Sequence, residues 1–310
     1  MRCTIKTLTV LLLLLCAGAA ALSFFWGADG DSFILLHIRL PRILLGALAG
    51  AALASSGTVM QAALQNPLAD PYILGTSAGA ALGSAAATAV GAPFASFAYY
   101  AFVLAGAAGT TLVSYIMAQK AGRTSPLTLI LSGIAVSSFA GAVLLFLLFV
   151  KRGEALSSVS FLMGTVTEGS APLYKIAPAL FAAGFAGSLL LARQLDILSL
   201  GEGRAAALGV RTERVKAASF ACAILMTGAA VSAAGTVGFV GLIVPHAIRL
   251  LAPAKNRLLL PASALGGAAL LVSTDFLARV IIYPAEIPCG VLTALLGAPF
   301  FIWLMNKTAR

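Results

Sequence analysis

Charge is what this sequence has least of. Lys, Arg, Asp and Glu make up 10% of its 310 residues, against about 25% in an ordinary soluble domain. A water-exposed globule of this length needs far more polar surface, so that class is excluded. Histidine occurs twice, and Cys3, Cys16, Cys222 and Cys289 lack the spacing of a metal site; the cysteines read as small core residues. No GxxxxGK-Ser/Thr loop is present, so ATP is not bound by that route. No Ser/His/Asp or Cys/His grouping suggests an enzyme, and no cofactor or metal is expected. Acids inside apolar runs are almost missing, Asp275 being the clearest. A proton-driven carrier needs a relay of such acids, so the energy source is expected on another subunit.

What fills the chain instead is apolar: 60% of the residues are hydrophobic. Helices that satisfy their own backbone groups are the natural form of such a chain in lipid. Each crossing takes roughly 20 apolar residues. Apolar runs at 5–26, 43–63, 72–91, 96–118, 127–150, 174–192, 215–234, 239–251, 258–282 and 290–306 give ten candidate spans, in an all-α polytopic membrane fold covering 1–310 as one domain. The first run has the basic start and small-residue end of a signal peptide; with so many spans following, an uncleaved helix is expected. The eighth is too short to cross alone. Gly235, Gly238 and Gly241 lie at its start, so the backbone there is expected to be broken.

The net charge of +10 reads as topology, not as a nucleic-acid surface, because Lys and Arg are retained on the cytoplasmic side. With the N-terminus inside and ten spans, 14 basic residues fall inside and 6 outside, which places both termini in the cytoplasm. Small residues such as Gly46, Gly50, Gly57, Gly79, Gly83 and Gly106 let helices approach closely in lipid. Asp275 has Arg279 one turn on, where the two can pair; a paired acid reads as structural. His246, after Pro245, reads as a structural residue at a helix end. His37 has no metal partners nearby. Two stretches are non-lipidic: an outer one, 151–172, with a short helix near 157–163, and an inner one, 193–216. In the latter, Leu200–Gly209 reads either as an exposed helix that a partner pushes or as a solvated loop.

RLPR (Arg39–Arg42), GTVMQAALQNPLADPYILGTSAG (Gly57–Gly79), LGEGRAAALGV (Leu200–Val210), GTVGFVGLIVPHAIRLL (Gly235–Leu251) and IPCGVLTALLGAPFFIWLM (Ile287–Met305) together resemble the FecCD-type permeases. These are the membrane subunits of bacterial ABC importers for iron–siderophore complexes, haem and cobalamin. The resemblance runs from about residue 30 to the C-terminus. It implies a type II ABC importer permease fold in the bacterial inner membrane. It also implies a second permease chain in a homodimer or close heterodimer, two cytoplasmic ATP-binding subunits, and a periplasmic or lipid-anchored substrate-binding protein. No nucleic acid is expected.

By the same resemblance Arg39, Arg42 and Arg279 match positions that meet acids on the binding protein; the competing readings are interfacial snorkelling or, for Arg279, the Asp275 pair. Gly201, Glu202, Arg204, Ala207, Leu208 and Gly209 match the helix that couples to the ATPase. Leu74, Gly75, Thr76, Ser77 and Gly79 are candidates to line or gate the pathway. Asn66, Pro67 and Asp70, with Pro71, form an inner turn, and Pro245 with His246 takes a comparable position. Gly-Thr-Val occurs at Gly57–Val59 and again at Gly235–Val237, a hint of an internal repeat with broken helices. The expected cargo is an iron(III)–siderophore complex, with cobalamin and haem as rivals and a gradient-driven carrier as the alternative of another class.

Overall fold

The computed structural model describes residues 5–26, 31–93, 96–120, 123–150, 161–166, 173–252 and 254–308. Its helices are α1 (Ile5–Phe25), α2 (Leu40–Ala63), α3 (Thr76–Ala89), α4 (Phe97–Ala118), α5 (Pro126–Val150), α6 (Leu173–Leu198), α7 (Glu202–Ala207), α8 (Thr212–Ala234), α9 (Val240–Leu251), α10 (Asn256–Val280) and α11 (Cys289–Thr308). A π-helical turn, Ile34–Arg39, runs into α2, and a 3-10 turn, Pro71–Leu74, precedes α3. The β structure among the described residues is one pair of two-residue strands, Gln119–Lys120 with Arg123–Thr124, closing the turn between α4 and α5. Each of the ten expected spans has its helix, and of the two readings left open for Leu200–Gly209 the helical one holds, as α7. The outer-loop helix expected near 157–163 falls partly outside the described residues; 161–163 are helical.

Among the described residues, seven helical stretches are long and apolar enough to cross a membrane. Two of the others are interrupted. The run expected at 72–91 is broken at Gly75 (φ +85) and continues as α3, whose 14 residues rise only about 21 Å against a hydrocarbon core of about 30 Å. The run at 239–251 begins as α9 only after a non-helical stretch in which Gly235 (φ +65) and Phe239 (φ +68) take positive φ. Pro245 and His246 lie inside α9, not at a helix end as expected. Conversely, α6 continues six residues past its expected end at 192 to Leu198. In this added stretch Asp196 Oδ1 accepts hydrogen bonds of 2.8 Å from the backbone N–H and the side-chain amide of Asn256. The last turn of α6 is thereby tied to the first turn of α10.

The bundle is built around α2. Every residue from Ala49 to Leu64 is buried, and α2 packs against α10, α8, α9 and α6. A helix can be enclosed on so many sides only if it is thin, and here Gly and Ala make it so. A Cβ on Gly50 would lie 2.1 Å from the Gly267 carbonyl of α10, and one on Gly57 would lie 1.9 Å from the Gly241 carbonyl of α9. Backbone meets backbone at both crossings, which is how helices gain van der Waals contact where lipid supplies no hydrophobic drive between them.

Candidate functional site

The candidate residues fall at opposite ends of the bundle. One end is formed where α1 and α10 finish and α2 and α11 begin. Arg39, Arg42 and Arg279 converge there on a cavity of about 590 Å3, together with Trp26, Phe276, Tyr283 and Glu286. Arg42 is the centre. Its Nη2 lies 2.9 Å from Asp275 and 2.9 Å from Glu286, and its Nε donates to both Asp275 oxygens at 3.1 Å. Forked geometry of this kind is the strong form of the Arg–carboxylate pair. The Asp275–Arg279 pair expected from the i, i+4 spacing is present but looser, at 3.6 Å. The dominant partner of Asp275 is therefore Arg42, on another helix.

Arg279 Nη2 also donates to Ser23 Oγ, fastening α10 to α1. Arg39 Nη1 donates to the carbonyls of Phe24 and Trp26. These carbonyls belong to the last turn of α1, where helical acceptors are left over. Three arginines thus face two carboxylates, and among the described residues no carboxylate pairs with Arg39. Among the described residues the unpaired positive charge of the cleft is that of Arg39, while Arg42 is held from inside.

The opposite end carries α7. Gly201 (φ +113) starts it and Gly209 (φ +81) follows it, so both turns use backbone conformations that side chains disfavour. Ala205 is fully buried against the bundle. Arg204, Ala207 and Gly209 are exposed, Gly201 and Glu202 are half-buried, and Leu208 is 65% exposed. The short helix is thus seated by one alanine and presents a leucine outward. Behind it lies a residue counted above only as a topological charge. Lys216 is 2% exposed, and its Nζ sits 2.6 Å from Glu202, 3.0 Å from Glu213 and 2.8 Å from the Thr124 carbonyl. The signal in the sequence was thin, an i, i+3 Glu–Lys pair at the start of a helix.

The remaining candidates lie between these ends. Asn66 Oδ1 accepts from Leu68 N–H and Asp70 Oδ1 from Tyr72 N–H, with Pro67 between them, so the chain after α2 is folded by its own side chains. Burial pushes the Asp70 carboxyl up to about 6, with the Tyr72 N–H opposing the shift. Leu74, Gly75, Thr76 and Gly79 are buried, and Ser77 is half-buried. The break at Gly75 is braced by donors from α4: Ser114 Oγ bonds Leu74 O at 3.0 Å, and Thr110 Oγ1 bonds Gly75 O at 2.9 Å beside the Gly79 N–H that the same carbonyl accepts. Thr76 Oγ1 bonds Pro71 O. The second broken region meets the first directly, since Val237 N–H donates to the Tyr72 hydroxyl at 3.3 Å. Pro245 is buried in α9, and both ring nitrogens of His246 are buried without a hydrogen-bond partner. Its ring lies edge-on to Phe300 of α11, 6.4 Å away.

Comparison with known proteins agrees with this architecture. The profile of the FecCD transport family matches residues 6–307. The cobalamin import system permease protein BtuC of Halobacterium salinarum is 44% identical over 87% of this chain and 72% of its own length. The hemin transport system permease protein HmuU of Yersinia pestis is 38% identical over 99% and 96%. The Fe(3+) dicitrate transport system permease protein FecD of Escherichia coli is 36% identical over 91% and 88%. A solved inward-facing structure of a metal-chelate type ABC transporter superposes with a TM-score of 0.88 at 31% identity, covering 97% of this chain and 99% of the other. PsaBC from Streptococcus pneumoniae shares the fold, with a TM-score of 0.64 at 19% identity, over 88% and 92%. The chain belongs to the FecCD transport family, as a multi-pass permease subunit of a metal-chelate ABC importer and not an enzyme.

Proposed function

We propose that this chain carries an iron(III)–siderophore complex across the bacterial inner membrane, paired with a second copy of itself. In this reading two ATP-binding subunits grip α7 from the cytoplasm, where both termini also lie, and a periplasmic or lipid-anchored binding protein docks on the arginine cleft. The observation that carries it is the separation of two unlike surfaces. One end offers a short exposed helix with Leu208 65% exposed; the other offers a cleft in which, among the described residues, Arg39 is left without a carboxylate. A chain that supplied its own driving force has no use for the first.

Asp275, buried inside the bundle, is neutralised by Arg42, which removes it from any proton relay. The Gly- and Ala-rich walls fit a large cargo that is passed along without tight binding. Movement of α7 would tilt α6 and α8, which it joins, and exchange the two access states of the pathway.

The iron-chelate cargo competes with cobalamin and haem, the cargoes in the names of relatives 44% and 38% identical to this chain. The test is uptake into proteoliposomes holding the permease and its ATP-binding subunit. The binding protein is loaded in turn with ferric desferrioxamine, haemin or cyanocobalamin. ATP-dependent uptake of the ferric complex alone supports the assignment; uptake of haemin or cyanocobalamin alone replaces it. For coupling, Leu208→Glu with Gly201→Glu is expected to abolish copurification of the ATP-binding subunit, and normal copurification would count against the role of α7.

A further inference from the structure

The buried Lys216 ammonium joins three separate elements. An ammonium has three donors and no acceptor. Here it finds three acceptors, one each on α7 (Glu202, 2.6 Å), α8 (Glu213, 3.0 Å) and the turn between α4 and α5 (the Thr124 carbonyl, 2.8 Å). The turn is bound a second time, because Thr124 Oγ1 donates to Glu213 Oε2 at 2.7 Å. Thr124 and Lys216 are 3% and 2% exposed, so the donors of both bonds are shielded from bulk water. A buried ammonium that loses one of these acceptors keeps a donor unsatisfied in low dielectric, which is costly. Relative motion of the three elements is therefore opposed far more strongly than at a solvated loop.

We propose that Lys216 is a positioning residue that locks α7 to the α4–α5 turn, so that a push on α7 moves the ends of α4 and α5 together with α8. This rests on the reading of α7 as the ATPase contact, and it adds a second route into the bundle. α4 and α5 hold the broken segment around Gly75, through Thr110, Ser114 and the close approach of Gly133 to the Ile73 carbonyl. A displacement passed through Lys216, at the start of α8, would thus reach that segment without travelling the length of α6 or α8.

The test uses the permease in complex with its ATP-binding subunit in nanodiscs, spin-labelled at Gln119→Cys and Ala206→Cys. In the otherwise unaltered chain the label distance is expected to be narrow and to change by less than about 2 Å, the scale of interface helix shifts, between the nucleotide-free and ATP-bound states. In Lys216→Met the distribution is expected to broaden and to differ between the two states, and Lys216→Arg, which keeps the cation, is expected to restore it. A nucleotide-dependent separation of the labels in the unaltered chain overturns the proposal, and that result does not depend on whether Lys216→Met folds. So does a Lys216→Met distribution identical to that of the unaltered chain. Failure of the α7 reading shows instead as undiminished copurification in the Leu208 and Gly201 variants.

Discussion

Arg42 and Asp275 stand 233 residues apart in sequence, yet their side chains meet at 2.9 Å. The pair pins the start of α2 to the last turns of α10, beside the cleft proposed to receive the binding protein. Asp275 is 4% exposed, so removing Arg42 leaves a buried carboxylate with only the looser Arg279 contact. Breaking a buried pair by removing one partner costs about 3–5 kcal/mol. Arg42→Met is therefore expected to lower the melting temperature of the solubilised permease sharply, and Arg42→Met with Asp275→Leu to recover most of the loss. An unchanged melting temperature in the single variant would show that the pair contributes little.

Arg39 and Arg42 behave differently in this account. Among the described residues Arg39 bonds backbone carbonyls only, which leaves its charge to act at a distance. Arg39→Glu is expected to slow association with the binding protein about tenfold or more at low salt, with a smaller effect at high salt, because unlike charge patches act mainly on encounter. Stopped-flow or surface-plasmon association rates at two ionic strengths measure this. Its melting temperature should stay close to that of the unaltered chain, in contrast to Arg42→Met.

Gly57 and Gly50 set the two tightest crossings of α2. Any side chain there meets a backbone carbonyl, which cannot move aside as a flexible side chain does. Gly57→Val and Gly50→Val are expected to destabilise by more than the about 1–3 kcal/mol typical of overpacking, read as loss of monodisperse protein in size-exclusion chromatography. Gly18→Ala, where a Cβ meets nothing within 4 Å, should be silent.

Asp70 gives the pH dependence its sign. Its carboxyl, in the turn between α2 and α3, titrates at about 6 in the folded chain, above the ordinary value near 3.9. A raised acid favours the folded state while protonated, so its contribution is full below the ordinary value and fades as pH climbs through about 6. Asp70→Asn keeps an acceptor for Tyr72 N–H. The unaltered chain is expected to gain melting temperature relative to Asp70→Asn between pH 7 and 5, and parallel curves would contradict this.

Much of the fold was legible in sequence because lipid imposes one rule on every span: a run of apolar residues long enough to cross. The limits of α4 and α5 were readable to within a residue for that reason. The break before α9 was readable from Gly235 and Gly238. What sequence spacing could not supply was partnership across the chain. Asp275 has a plausible neighbour one turn away, and only the fold brings Arg42 closer. Lys216 has the composition of a topological charge, and its burial depends on where the α4–α5 turn lands. Pro245 suggested a helix end because proline usually breaks helices; in α9 the helix passes through it unbroken.

In the proposed function this chain is a gate moved from outside itself through α7. The direct measurement is accumulation of ferric desferrioxamine, delivered by the loaded binding protein, in vesicles holding the permease with and without its ATP-binding subunit. Uphill accumulation is expected only with that subunit and ATP present, and it should vanish in Leu208→Glu. Uphill accumulation by the permease alone, driven by an ion gradient, would contradict the claim.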